Sequence, residues 1–340
     1  MLTRLLRGHG ALLAAGVLSI AACAGCGVVQ TRTTLGPARK LVIAISGPPS
    51  ALYAPVYEGV ANGDFARGAL SVSVSVAADE SAALSALSSG RATLAIAPEP
   101  ALLAARASGA QLVAVGALFD GPLQSLISLQ SHPVTAPAQL IGKTVATDGS
   151  PLAAAELETF LARDAIPLSR VRVIEAAGDL DAPLISHKAV ASIGGLENYD
   201  AVRLTLAHQR PTVTLLTAAG VPGFSELVVV ARVGEAHRDG ALLRSFLQSL
   251  TRSQKAVRAD PHAVAGLLAT INPSLSERFE QAILAASKAA SQPPAGEPFG
   301  FQNPRTWSTF ADWMNSHGLL SRATDGGFAV TDEFLPGQGE

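Results

Sequence analysis

Cysteine and charge are both scarce in this chain. Of its 340 residues only two are cysteines, Cys23 and Cys26, both near the start. The body beyond them has no disulfide framework, no thiol nucleophile and no cysteine-based metal site. The seven histidines are scattered and none is spaced as a ligand pair, so no metal is expected. Charged residues make up 15% of the chain, against about 25% in an ordinary globular protein. The formal net charge is −2 and no basic patch stands out, which argues against nucleic acid as a partner. A Gly-x-Ser-x-Gly elbow, a P-loop and a dinucleotide fingerprint are all absent. No nucleophile, base and orienting group can be assembled, so no catalytic residue and no cofactor are assigned.

The N-terminus has a recognisable address. Arg4 and Arg7 precede an uncharged apolar run, Ala11–Ala22, which is shorter than the roughly 20 residues a spanning helix needs. This is the pattern of a secretory signal peptide, assigned to residues 1–22. Ile20-Ala21-Ala22-Cys23 resembles the lipobox of bacterial lipoproteins at every position, and Ala24-Gly25-Cys26 offers a second match. Cys23 is the expected lipidation site, with Cys26 as the alternative. The polar stretch 23–39 then reads as a tether between membrane and domain. No later run is apolar enough to span a bilayer.

The roughly 300 remaining residues suffice for two lobes. Leu41–Ile45, Thr93–Ala97 and Leu112–Leu118 are continuous apolar runs, as buried parallel strands are. Leu70–Val76 alternates as a half-buried strand does. Helical patterns over Ala54–Phe65, Ser81–Ser88 and Ala101–Ala107 separate them, giving a doubly wound lobe. Pro122–Leu129 is an extended crossing to a second lobe, with strands at Lys143–Thr147, Val171–Ile174, Val190–Ile193 and Val213–Leu216. Glu226–Ala231 crosses back, and the rest is helical. The expected fold is thus α/β: two doubly wound lobes joined by two crossing strands, with C-terminal helices. Lobe 1 takes 40–126 and 232–340, and lobe 2 takes 127–231.

One stretch organises this plan. In Ala191–Leu204 an apolar strand stops at Gly194-Gly195, runs through Leu196, Glu197, Asn198, Tyr199 and Asp200, and enters a helix. Ligands of open α/β sheets sit outside the carboxyl ends of the strands, and a glycine pair lets the backbone come close to a neighbour. The alternative is an ordinary strand-to-helix loop with Asn198 or Asp200 as the cap.

Several segments, in order, resemble the solute-binding proteins of the thiamine-pyrimidine-precursor family, whose fold is shared with the fungal thiamine pyrimidine synthases. They are Pro122-Leu123-Gln124-Ser125-Leu126-Ile127, Gly149-Ser150-Pro151-Leu152, Gly194–Asp200, Glu226–Ala231, Phe299–Pro304, Phe310-Ala311-Asp312-Trp313 and Phe334-Leu335-Pro336. The resemblance covers most of the body. It implies a periplasmic-binding-protein type II fold that traps a solute between its lobes. It also implies a monomeric, exported lipoprotein on the outer face of the bacterial cytoplasmic membrane, handing a pyrimidine-like vitamin precursor to the permease and ATPase subunits of an ABC importer. The first loop departs from the family pattern. Gly47 stands at the aromatic position, Ser50 at the asparagine and Tyr53 at the histidine that the synthase reaction requires. That departure weighs against synthase chemistry and leaves open a different heterocycle, such as a riboflavin-type vitamin, or a lost ligand. A sulfonate or nitrate would call for basic groups, which these strand ends lack.

The candidate ligand contacts are Ser46, Ser50, Tyr53, Glu99, Asp120, Ser150, Asn198, Tyr199, Asp200 and Glu226. Tyr53 offers a face on which a flat ring can stack. Glu99, where the family has glutamine, is read as an acceptor for an amino group or as a solvated loop charge. Asp120 follows the next strand and has a capping alternative. Ser150 is a donor or only a helix cap. Tyr199 lines the cleft or packs under its helix, and Glu226 lies in the cleft or at the hinge. Trp307 and Trp313 are assigned to the core.

Overall fold

A computed structural model describes residues 38–176 and 178–338. The expected signal segment, both cysteines and the tether up to residue 37 lie outside the described residues. The first sheet contains β1 (Arg39–Ser46), β2 (Leu70–Ala77), β3 (Leu94–Ala97) and β4 (Leu112–Phe119). The second contains β5 (Gln124–Leu129), β6 (Thr144–Thr147), β7 (Arg172–Glu175), β8 (Ala191–Leu196) and β9 (Pro211–Leu215). The strand β10 (Leu227–Arg232) returns to the first sheet. The orders are β2-β1-β3-β10-β4 and β7-β6-β8-β5-β9. In each sheet one strand is antiparallel to both its neighbours, β10 in the first and β5 in the second. The two sheets therefore share one plan, the type II arrangement.

Burial explains which runs became which strands. All eight residues of β4 are buried, as its unbroken apolar sequence requires. The edge strand β2 alternates buried or half-buried with exposed positions over most of its length. The expected helix Ala54–Phe65 is two helices, Ala54–Ala61 and Asp64–Arg67, because Gly63 adopts φ +73 and breaks the run. The expected lobe boundaries, 126/127 and 231/232, cut through strands: β5 pairs over its whole length in the second sheet and β10 over its whole length in the first. The links between lobes are instead the short irregular stretches flanking them, Asp120–Leu123 and Val221–Glu226. Arg39, placed in the tether, already pairs with Leu70.

The helix Pro304–Ser316 holds the two lobes to a common core. It buries Trp307, Phe310, Trp313 and Met314 in one cluster with Leu102 and Leu103 of the first lobe and Leu157 and Phe160 of the second. Phe310 stacks on Phe224 at 4.6 Å and on Trp313 at 5.5 Å, and Trp313 Nε1 donates to Thr159 Oγ1 at 3.2 Å. Both tryptophans are core residues. The segments flanking this helix also cover the edge of β4, where Ala117 N donates to Gly300 O and Thr331 N donates to Ala114 O. Phe310→Ala should cost about 3–5 kcal/mol, measured as a lowered urea midpoint with the slope of unfolding unchanged.

Candidate functional site

The strand ends of both sheets meet at one seam. Ser46 ends β1, Glu99 follows β3, Asp120 follows β4, and Glu226 precedes the antiparallel β10. On the other side Ser150 follows β6 and Asn198 follows β8. The links are bonded to each other: Glu226 N donates to Phe119 O (3.0 Å), Leu123 N to Glu226 Oε2 (3.0 Å) and Glu197 N to Leu123 O (2.8 Å).

The first loop is organised by Tyr53. Its ring is 5% exposed within the first lobe's core, and its hydroxyl donates to Ser46 O at 2.8 Å. Burial pushes the phenol above its usual range. Tyr53 therefore offers little face for stacking in this conformation. Ser46 Oγ donates to Glu80 Oε1 at 3.0 Å. Ser50 is half-buried and makes no side-chain capping bond. Beside them, a Cβ on Gly47 would meet nothing within 4 Å, so space exists where the family carries its aromatic residue.

The carboxyls form the most distinctive feature. Glu99 is fully buried rather than a solvated loop charge. Its Oε2 accepts from Ser225 N at 2.8 Å, its own N–H donates to Ser225 O, and Oε1 has no partner. Burial pushes this carboxyl up to about 8. Near neutrality it is a neutral acid, with one oxygen to accept and a hydroxyl to donate. A glutamine amide presents the same pair of functions, so Glu99 reproduces the residue the family places there. Asp120 is pushed up to about 7 by burial and by Asp332, against a Ser225 hydrogen bond. Glu226 is pushed up to about 7 by burial, with the Leu123 and Gln124 N–H groups pulling the other way.

Glu156 belongs to this line and was missed by the sequence reading. It lies fully buried on the helix Pro151–Ala162. With its amide nitrogen turned toward it, Gln124 donates to Oε1 at 2.7 Å and to Oε2 at 3.2 Å. Burial, Glu226 and Asp148 hold the Glu156 carboxyl well above the usual range. A signal for it existed: Leu152, Ala153 and Phe160 stand at helical spacing around Glu156, which puts a carboxylate on an apolar face. Among the described residues, none of Glu99, Asp120, Glu156, Glu226 and Asp332 makes an ion pair.

The second lobe spends two of its candidates on itself. Ser150 is the N-cap of Pro151–Ala162, its Oγ accepting from Ala153 N at 3.1 Å. Asp200 is not the cap of its helix, since Tyr199 holds that position. Its Oδ2 accepts from Leu196 N at 2.7 Å and its Oδ1 from Arg203 at 3.3 Å. Burial leads the upward shift of its carboxyl. A Cβ on Gly195 would lie 3.2 Å from Asp200 Oδ2, so at least this glycine serves close packing within the lobe. Asn198 and Tyr199 reach the first lobe. Asn198 Nδ2 donates to Ser287 Oγ at 2.8 Å, and Tyr199 meets Phe279 edge-on at 5.1 Å. Asn198 is fully buried with Oδ1 unpartnered.

Two α/β lobes of identical strand plan, joined by paired links and meeting at a seam of strand ends, define the fold of periplasmic solute-binding proteins. The chain belongs to the NMT1/THI5 like family, whose model matches residues 51–264. It is 24% identical over 293 residues to a formylaminopyrimidine-binding protein of Halalkalibacterium halodurans, covering 84% of this chain and 88% of the relative. Its fold matches the periplasmic aliphatic sulphonate binding protein SsuA of Escherichia coli with TM-score 0.69 at 16% identity, over 87% of this chain and 98% of that one. A Candida albicans protein described as exhibiting the generic periplasmic binding protein structural fold matches with TM-score 0.59 at 14% identity, over 86% of this chain and 96% of that one.

The raised carboxyls set a sign for stability against pH. Folded Glu99 holds its proton to about 8, whereas its unshifted value is 4.5. Between these values the folded state binds more protons than the unfolded state, so its stabilising contribution is complete below 4.5 and lost as pH rises through 8. Glu226 acts in the same direction up to about 7. The melting temperature should fall from pH 5 to pH 9, and Glu99→Gln should flatten that fall; a melting temperature that rises over this range would contradict the assignment.

Proposed function

We propose that this protein captures an aminopyrimidine of the thiamine-precursor type between its lobes and passes it to an ABC importer, without turnover. The single observation that carries this reading is Glu99: a buried carboxyl, neutral near pH 7, with one oxygen fixed by Ser225 and the other unpartnered. An aminopyrimidine edge carries a ring-nitrogen acceptor beside an amino donor, which complements a neutral carboxyl or a glutamine amide. The uncompensated line Asp120, Glu226 and Glu156 disfavours an anion. The formylaminopyrimidine-binding relative supports the same class of ligand. Tyr53 in place of the synthase histidine speaks for binding rather than catalysis.

The chain is further proposed to act as a monomer at the membrane surface, held through lipid on Cys23, or on Cys26. Among the described residues no helix is long and apolar enough to cross a membrane. Cys23→Ala should release the protein from the membrane fraction while Cys26→Ala leaves it bound; the reverse result would move the lipid to Cys26.

Calorimetric titration tests the ligand. Formylaminopyrimidine or hydroxymethylpyrimidine should bind, and taurine and nitrate should not. Glu99→Gln should keep the affinity, whereas Glu99→Ala should weaken it at least ~10-fold, the loss of one buried hydrogen bond. Binding to taurine alone would reassign the protein to sulfonates, and silence with both pyrimidines would remove the reading.

A further inference from the structure

A cavity of about 250 Å³ opens in the first lobe, between the Ala51–Pro55 turn, the end of β4 and the helices Gly240–Ala259 and Glu277–Ala286. None of the candidate ligand contacts lines it, though Ser287, which accepts from Asn198, does. Its walls are largely apolar, with Pro55, Phe119, Val257 and Leu284 among them. Its polar lining comprises Gln254, Arg258, Lys288 and the hydroxyls of Ser287 and Ser291. Gln254 is 5% exposed, lines the cavity and has no hydrogen-bond partner for its amide among the described residues. Arg258 and Lys288 stand at the rim. Arg258 donates to Gln292 Oε1 at 3.1 Å, and neither cation is in an ion pair among the described residues.

Uncompensated carboxyls line the seam, and uncompensated cations stand at this cavity. The seam disfavours an anion, whereas the cations at the cavity favour one. A planar guanidinium matches a carboxylate with two parallel hydrogen bonds, an ammonium adds charge, and the Gln254 amide supplies a donor deeper in the wall. The apolar remainder calls for a hydrocarbon body. The volume lies below the ~300–1,000 Å³ of pockets for drug-sized ligands, which restricts the body to a medium chain or a single ring. We propose that this cavity is a second ligand site, beside the seam and distinct from the pyrimidine position, for a small carboxylate with an apolar body.

The test is calorimetric titration of the full chain with sodium octanoate, and with octylamine and octanol as charge-reversed and neutral controls. Arg258 is half-buried and Lys288 exposed, so R258E/K288E is chosen as a variant that keeps its fold, verified by an unchanged melting temperature. Octanoate should bind the parent with one-to-one stoichiometry, about 10-fold or more tighter than octanol. That affinity should fall at least ~10-fold in R258E/K288E and persist when formylaminopyrimidine is present in excess. A milder second variant, Gln254→Leu, should also weaken octanoate while leaving pyrimidine binding unchanged. The proposal is overturned by unsaturable octanoate heats, by equal affinity in parent and R258E/K288E, by octylamine binding as well as octanoate, or by displacement of octanoate with formylaminopyrimidine.

Discussion

The structure depends on two short links running side by side. A chain that leaves one sheet to build another and then returns must traverse the gap twice. Here the two traverses are stitched by a backbone bond from Glu226 to Phe119 and by the Glu226 carboxyl on Leu123. Each link delivers its chain into a sheet from the carboxyl-end side, which forces β5 and β10 to run against their neighbours. With the links fixed, the carboxyl ends of both sheets must face each other, and the residues just beyond those ends become one site.

Placing acids at such a seam has an electrostatic consequence. A buried carboxyl without a cation gives up its charge before it gives up its burial. Glu99, Asp120, Glu156 and Glu226 all shift upward for this reason, each with burial as the leading cause. Near pH 7 Glu99 is then largely neutral, Asp120 and Glu226 are partly ionised, and the seam becomes progressively acidic above it. The helix Pro304–Ser316 adds a mechanical condition. It packs on both lobes through Phe310 and Trp313, so any change in the angle between lobes has to repack that aromatic cluster or carry the helix with one lobe.

Much of the fold was legible because its signals are local. Continuous apolar runs marked β1, β3 and β4, Ser150-Pro151 marked a helix start, and the order of family segments marked the lobes. Lobe boundaries were less legible, since a long apolar run looks the same whether it crosses between sheets or lies inside one. The site was only partly legible. Asn198 and Tyr199, read as ligand contacts, make contacts between the lobes, to Ser287 and Phe279. Asp200 and Ser150 were found for their residue type, yet their side chains satisfy their own backbone. Glu156 went unnoticed because a helical glutamate draws attention only when the burial of its helix face is known.

The sequence by itself determined the class of fold, the positions of the strand ends and the polar residues that follow them, because these depend on hydrophobic periodicity and on turn chemistry within a few residues. Tertiary structure alone decided the chemical state of those residues. Whether Glu99 is a carboxylate in water or a neutral acid in the protein turns on the solvent that packing removes, against which the hydrogen bond from Ser225, 126 positions away, pulls toward the charged form. Burial and partners are properties of the assembled chain, and they convert an acidic residue into a neutral donor and acceptor pair.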